Sequence, residues 1–365
     1  MKIIYLANFR MPTERAHGVQ TMKMCEAFAK AGLEVELVLP RRFTSIKANP
    51  FDYYAVTQNF RIKKLPVLDL IPFDFILGPL AFWIESLTFL LSAKFYLWFK
   101  KYDLLYTRED LAGFFFKNFV LEVHTFPARM RNASQLVVLT SYLKKKLVES
   151  GFGGENILVA PDGIDFNEFQ VSVSKEEARR RLNLPLDKRI VMFIGLFDAW
   201  KGYDVLLEAS RSFPPDTKLI MIGERKAQIK ELQSRYPDVI FTGYLPYKSL
   251  PQNQRAADVL VIPNSAKYEI SKYHTSPLKL FAHMASGIPI VVSDLPSLRE
   301  VLNEFNAFFV EPDNPRAFAE GIARVLDDEA FSQKISRRAL EDVKKYTWEN
   351  RARNILDFIQ KNHVR

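Results

Sequence analysis

The chain has 365 residues, 48% hydrophobic and 25% charged, which excludes a disordered or low-complexity protein and is long for a single core. The formal net charge of +9 is spread as +5 over residues 1–167 and +4 over the rest, so there is no basic tail, and a basic surface suits anionic partners. Cys25 is the sole cysteine, so no internal disulfide can form, in keeping with a reducing compartment.

The opening "MKIIYLANF" is too short an apolar run for a secretory signal and lacks a small-residue cleavage site, so a buried strand is expected near 2–7. A helix near 18–31 and a strand near 34–39 follow. Residues 70–100 are rich in aromatics, but Asp74, Glu85, Lys94 and two prolines interrupt them. The uncharged runs fall short of the ~20 residues a spanning helix needs, so a helix over 76–100 is expected to be buried or to lie on a membrane surface. Strands are expected near 103–106, 119–123, 135–139 and 157–160, with a helix near 141–150. The stretch 161–188 reads as a hinge, with turn-rich "PDGIDFNEF" followed by a Ser-capped helix and a proline linker. The second half repeats the plan. Its strands are expected near 189–195, 218–223, 238–242, 258–262, 289–292 and 307–310. Its helices are expected near 202–212, 224–235, 249–256, 276–286, 296–303 and 315–326. Continuous apolar strands alternating with helices predict α/β architecture with parallel sheets covered on both faces. Two doubly wound domains, 1–167 and 168–346, are therefore expected to face each other across a cleft, with ligands beyond the carboxyl ends of the strands. The five histidines and one cysteine are scattered, so no metal site is expected.

Four loop ends could carry chemistry. Gly18 opens "GVQTMKMCEAFAKAG", where helix amides could approach a phosphate or sugar; it also suits a plain tight turn. His124 ends the strand "FVLEV", with Glu122 two residues earlier on the same face; it could bind a substrate or be a satisfied structural residue. Lys201 follows the strand ending at Gly195, where a lysine can reach a diphosphate or simply be solvated. In "HTSPLKLFAHMASG", Ser276 can cap a helix that Pro277 begins, and the amides from Leu278 onward with Lys279 build an anion site or a merely capped helix.

Taken in order and spacing, "ERAHGVQTMKMCEAFAKAGLEVELV", "ILVAPDGIDFNEF", "IGLFDAWKGYDVLLEA" and "SPLKLFAHMASGIPIVVSDLPSLREVL" resemble the retaining glycosyltransferases of GT-B fold called glycosyltransferase family 4. The resemblance covers almost the whole chain. It implies two Rossmann-like domains, the second holding most of a nucleotide-sugar donor and the first the acceptor. The last helix, within 347–365, would return to the first domain. Gly18 would face the diphosphate and acceptor, His124 would contact the donor sugar, and Lys201 with the turn Ser276–Lys279 would meet the phosphates. The family generally needs no metal or other cofactor and takes the leaving phosphate as the group that helps deprotonate the acceptor.

Three positions depart from the family pattern. His274 and Ala282 stand where two glutamates eight residues apart are usual, and Leu196 replaces a diphosphate arginine. Glu269 is nearby in sequence as a substitute carboxylate. The expectation is a retaining enzyme moving a sugar from a UDP- or GDP-sugar to a glycan or lipid-linked acceptor in the cytoplasm. The competing expectation is a non-catalytic binding or scaffold protein in glycan assembly. No nucleic-acid-binding pattern is present. The 70–100 segment and Lys144-Lys145-Lys146 suit contact with an anionic membrane.

Overall fold

A computed structural model describes residues 1–223 and 226–363 and divides the chain into two compact units, Met1–Ala160 with Trp348–Arg365, and Pro161–Thr347. The first boundary thus falls after Ala160 rather than after residue 167. The first two residues of the helix expected at 224–235 lie outside the described residues, and Lys226–Arg235 is helical.

The first unit holds a seven-stranded sheet of β1 (Lys2–Leu6), β2 (Glu34–Pro40), β3 (Arg61–Leu65), β4 (Leu104–Thr107), β5 (Phe119–Val123), β6 (Ala133–Val138) and β7 (Ile157–Val159). Its spatial order is β3-β2-β1-β4-β5-β6-β7, and every pairing is parallel. The order reverses between β1 and β4, the place where a doubly wound sheet opens a crevice at its carboxyl edge. β3 is not legible in the sequence reading. "RIKKL" lacks a clean apolar run, and its three cations suit an edge strand, solvated along one side.

The second unit holds a six-stranded sheet of β8 (Arg189–Ile194), β9 (Thr217–Ile222), β10 (Ile240–Gly243), β11 (Val259–Ile262), β12 (Ile290–Ser293) and β13 (Phe308–Val310), in the order β10-β9-β8-β11-β12-β13. It too is parallel throughout and reverses between β8 and β11. The fold class is therefore α/β with two parallel sheets, as expected. The helix Glu329–Asp342 was not anticipated; its interspersed charged and polar residues mask the buried stripe of Ile335, Ser336 and Ala339.

The chain enters and leaves the second unit side by side, because Ile164 pairs with Thr347 and its amide donates to the Tyr346 carbonyl at 2.9 Å. The last helix then belongs to the first unit, where it packs against α1 (Ala16–Lys30). Arg351 anchors it. This side chain is 4% exposed, and its guanidinium lies 3.0 Å from the Glu122 carboxylate of β5 and donates to the Ala160 carbonyl at 3.3 Å.

Breaking a buried pair strands a charge in low dielectric, which typically costs about 3–5 kcal/mol. Arg351→Met is therefore expected to destabilise the first unit by about that much. Arg351→Met combined with Glu122→Gln should recover part of the loss in urea denaturation, since no unpaired charge then remains buried.

Candidate functional site

In the first unit, β5 delivers Glu122 and, one residue past its end, His124. The Glu122 carboxylate, 1% exposed, accepts from Gln20 Nε2 at 2.6 Å, from Arg351, from the Tyr106 hydroxyl and from His124 Nε2 at 2.7 Å. Burial alone would raise its pKa. The Arg351 charge, followed by the His124 hydrogen bond, overrides burial and holds it well below the usual carboxylate range.

The other ring nitrogen of His124, Nδ1, lies 3.2 Å from Arg108 Nη2, and Arg108 Nη1 donates to Gln20 Oε1 at 2.8 Å. A guanidinium can only donate, so Nδ1 accepts and Nε2–H donates to Glu122. The ring is thus a neutral imidazole in one fixed tautomer. Burial first and the Arg108 charge second push its pKa down to about 4. Both ring nitrogens are engaged within this unit, so a ring hydrogen bond to a ligand requires exchanging one of these partners.

Gly18 is the third residue of α1, which begins at Ala16. A Cβ there would overlap the Tyr54 hydroxyl and sit 2.7 Å from Thr13 Cγ2. That hydroxyl is fixed by the backbone of Thr13, accepting its N–H and donating to its carbonyl, both at 2.7 Å. The close approach of Tyr54 is what requires glycine.

In the second unit, the loops that follow β8 and β11 meet at the sheet reversal. Gly195 follows β8 with φ +152°, and a Cβ on Gly202 would overlap the Pro263 carbonyl just past β11. Lys201 closes the turn between these glycines. Its Nζ lies 2.8 Å from Asp198 Oδ2 and 5.0 Å from the centre of the Trp200 ring, so it is neither simply solvated nor free.

The turn before α3 (Leu278–Ser286) corrects the capping expectation. Pro277 is the N-cap residue, no side chain caps the helix, and the helix begins at Leu278. The Ser276 hydroxyl instead accepts the Asp162 N–H at 3.0 Å. The first-turn amides of α3 are left without a side-chain acceptor, the condition that favours an anion.

Lys279 stands in this first turn. Its Nζ is buried with no hydrogen-bond partner among the described residues, 4.7 Å from the centre of the Phe193 ring of β8. Burial and then the Lys201 charge depress its pKa well below the ordinary amine value, with Asp198 opposing. The sequence reading identified Lys279 but not its state. Phe193, Asp198, Gln20 and Arg108 escaped that reading altogether; only Asp198, three residues before Lys201, left a local signal.

His274 is 4% exposed at the end of the Ile270–His274 turn, and burial holds it toward the neutral form against the opposing charge of exposed Glu269. Ala282 is fully buried in an apolar cluster with Ile262, Leu280 and Ile290. Leu196 is half-buried beside Gly195. Among the described residues no group of three or more His, Cys, Asp or Glu side chains is placed to hold a metal ion.

The histidines give a pH prediction. Burial lowers the pKa of folded His124 to about 4 and those of half-buried His17 and fully buried His283 to about 3, whereas an unfolded histidine takes a proton near 6.5. Between those values the unfolded chain binds more protons, so stability is full above about pH 6.5 and falls as pH drops toward 4. Melting temperature is expected to decline through that window, and His124→Gln, which cannot titrate, should flatten the decline.

The family model described as glycosyl transferases group 1 matches residues 174–342, within the second unit. The chain is 29% identical over 236 residues to an uncharacterized glycosyltransferase of Methanocaldococcus jannaschii, covering 61% of this chain and 59% of that protein. It is 26% identical over 220 residues to a putative teichuronic acid biosynthesis glycosyltransferase of Bacillus subtilis, covering 60% of this chain and 53% of that protein. The chain thus spans little more than half the length of the curated relatives it matches. Among solved structures, the sucrose-phosphate synthase of Thermosynechococcus elongatus superposes with a TM-score of 0.77 at 21% identity, covering 100% of both chains. HepE of Anabaena, crystallised in complex with UDP-glucose, superposes with a TM-score of 0.76 at 16% identity, covering 99% of this chain and 100% of that one. These superpositions give the fold, the GT-B architecture, and over residues 174–342, somewhat less than half of the chain, the sequence matches the group 1 glycosyl transferases.

Proposed function

We propose that the protein is a retaining glycosyltransferase that moves a sugar from a UDP- or GDP-sugar to a glycan or lipid-linked acceptor. The observation that carries this reading is the unpartnered Lys279 side-chain nitrogen, buried at the start of α3 and within reach of the Lys201 charge. A buried amine with no partner resists protonation, and an anion bound beside it and Lys201 favours the charged form again, so the site is suited to an anion. A nucleotide diphosphate supplies the missing negative charge, with the first-turn amides of α3 as further donors.

During transfer the bond between the sugar and the β-phosphate breaks, and negative charge grows on the departing diphosphate. Lys201 and Lys279 are the proposed stabilisers of that charge, preorganised by Asp198 and by Phe193. No metal is invoked in this role. His124 is proposed to orient the transferred sugar, as a neutral ring fixed by Glu122 and Arg108. Retention rests on the resemblance to retaining enzymes, and a cytoplasmic location on the use of nucleotide sugars and the lone buried Cys25.

A specific observation favours a second reading, a non-catalytic binding protein. At Ala282, where the family's ribose-gripping glutamate is usual, the side chain is fully enclosed by apolar residues. Introducing a glutamate there would bury a carboxylate, so Ala282→Glu is expected to destabilise the second unit rather than to restore a contact.

The two lysines are separable by experiment. Lys279→Met removes a buried polar group that has no partner, so it should raise the melting temperature without ligand yet weaken nucleotide binding about 10- to 100-fold, the loss of a charge-assisted hydrogen bond. Thermal shifts with UDP, GDP, ADP and their sugar conjugates measure both effects. Lys201→Ala is expected to lower turnover of whichever donor works; unchanged turnover would refute its role. Absence of a shift in wild type with every nucleotide, together with absence of transfer, would favour the binding protein.

A further inference from the structure

The helix α2 (Pro79–Trp98) is apolar on two opposite faces, and only one is used by the fold. The inner stripe, with Phe89, Leu90, Ala93 and Leu97, packs into the core over the first unit's sheet. The outer stripe runs Leu80, Trp83, Leu87, Leu91, Phe95 and Trp98 at helical spacing, with exposures from 46% to 77%. At 1.5 Å per residue it extends roughly 27 Å. Phe73, Phe75 and Ile76, each more than half exposed, continue it before the break at Gly78. A monomer surface with this much contiguous apolar area marks an interaction site.

We propose that this face seats the first unit on an anionic lipid bilayer, with α2 lying in the plane of the interface. Charge and composition select that occupant. Lys94 lies exposed within the outer stripe, and Lys100 and Lys101 follow its end. Arg129 packs its guanidinium 5.7 Å from the centre of the Trp83 ring, and Arg131 lies 5.3 Å from that of Phe114, itself 55% exposed. Tryptophan and phenylalanine bordered by lysine and arginine are the groups that settle at a headgroup boundary, the rings in the acyl edge and the cations at the phosphates. The acidic groups nearby are Asp74 at the start of the face, Asp110, which pairs with Arg129 at 3.3 Å, Glu36, 4.0 Å from Lys100, and Asp103, which accepts the Lys2 N–H.

Length and composition alone, with a mean hydropathy of 1.3, would let α2 cross a membrane. Its inner face argues for lying on one. Glu85 is fully buried, and its carboxylate accepts from Asn8 Nδ2 at 3.0 Å, so a spanning helix would carry this group into hydrocarbon and strip the core from the sheet. Asn8 lies two residues past β1, so the same contact ties the helix to the loop at the sheet's carboxyl edge. The lysine triplet suggested by sequence serves other ends. Lys144 donates to the Ile157 carbonyl at 2.9 Å, and Lys145 and Lys146 both lie beside Glu149.

The test is flotation of the full chain with phosphatidylcholine vesicles, with and without roughly 30% phosphatidylglycerol, at low and high salt. The expected result is co-flotation with the anionic vesicles, weakened by salt, with a blue shift of tryptophan emission from Trp83 and Trp98. The triple change Leu87→Gln, Leu91→Gln, Phe95→Gln should abolish co-flotation while leaving the melting temperature and nucleotide response unchanged, and Lys94→Glu with Lys101→Glu should remove the preference for anionic lipid. Absence of co-flotation at low salt would overturn the proposal. So would co-flotation that persists in a folded triple variant. A wild-type dimer that the same triple change dissociates, without vesicle binding, would assign the face to a second copy instead.

Discussion

The first unit is organised around one buried negative charge, and that charge has to be matched. Glu122 sits in the fifth strand with almost no access to water. An isolated carboxylate there would take up a proton; this one is held ionised by Arg351, His124, Gln20 and Tyr106. The compensation comes from four separate elements: the last helix, the end of β5 itself, α1 and β4. Satisfying a single carboxylate thus brings the C-terminal helix back to a sheet that began at residue 2. It also fixes the tautomer of His124, since one nitrogen must donate to Glu122 and the other accept from Arg108.

The second unit contains the opposite situation. Lys279 is buried without a hydrogen-bond partner, cushioned only by the face of Phe193 and repelled by Lys201. Two buried ionisable groups in one chain therefore have different meanings. A fully compensated charge such as Glu122 holds structure together, and its loss unfolds it. An uncompensated one lowers stability in the free protein, which is the usual condition of a group that waits for a ligand of the opposite sign.

The glycines of the second unit serve that site through the backbone. Gly202 lets the turn carrying Lys201 approach the end of β11, and Gly195 and Gly223 let the ends of β8 and β9 touch, where a Cβ on Gly223 would lie 2.6 Å from the Gly195 carbonyl oxygen. Parallel strands with their carboxyl ends at one edge, reversing at β8 and β11, make this the place where loops converge. The apolar helix α2 shows a different economy: its inner face completes the core, and its outer face is left to something other than this chain.

The sequence by itself determined the alternation of strand and helix, the parallel sheets and the loop ends at which His124, Lys201 and Lys279 stand, because apolar runs, turns and helix starts are local signals. It did not reveal the edge strand Arg61–Leu65, whose charges follow from solvation on one side, nor the helix Glu329–Asp342, whose apolar stripe is sparse. Only the tertiary structure decided what the candidate residues do with their polar atoms. Ser276 looked like a cap and instead holds the Asp162 amide, and the need for glycine at position 18 comes from the close approach of Tyr54. Arg351 pairs with Glu122 across 229 positions of sequence. Pairings at that separation leave no local pattern, since they depend on which strands neighbour one another and on which buried charges remain to be satisfied.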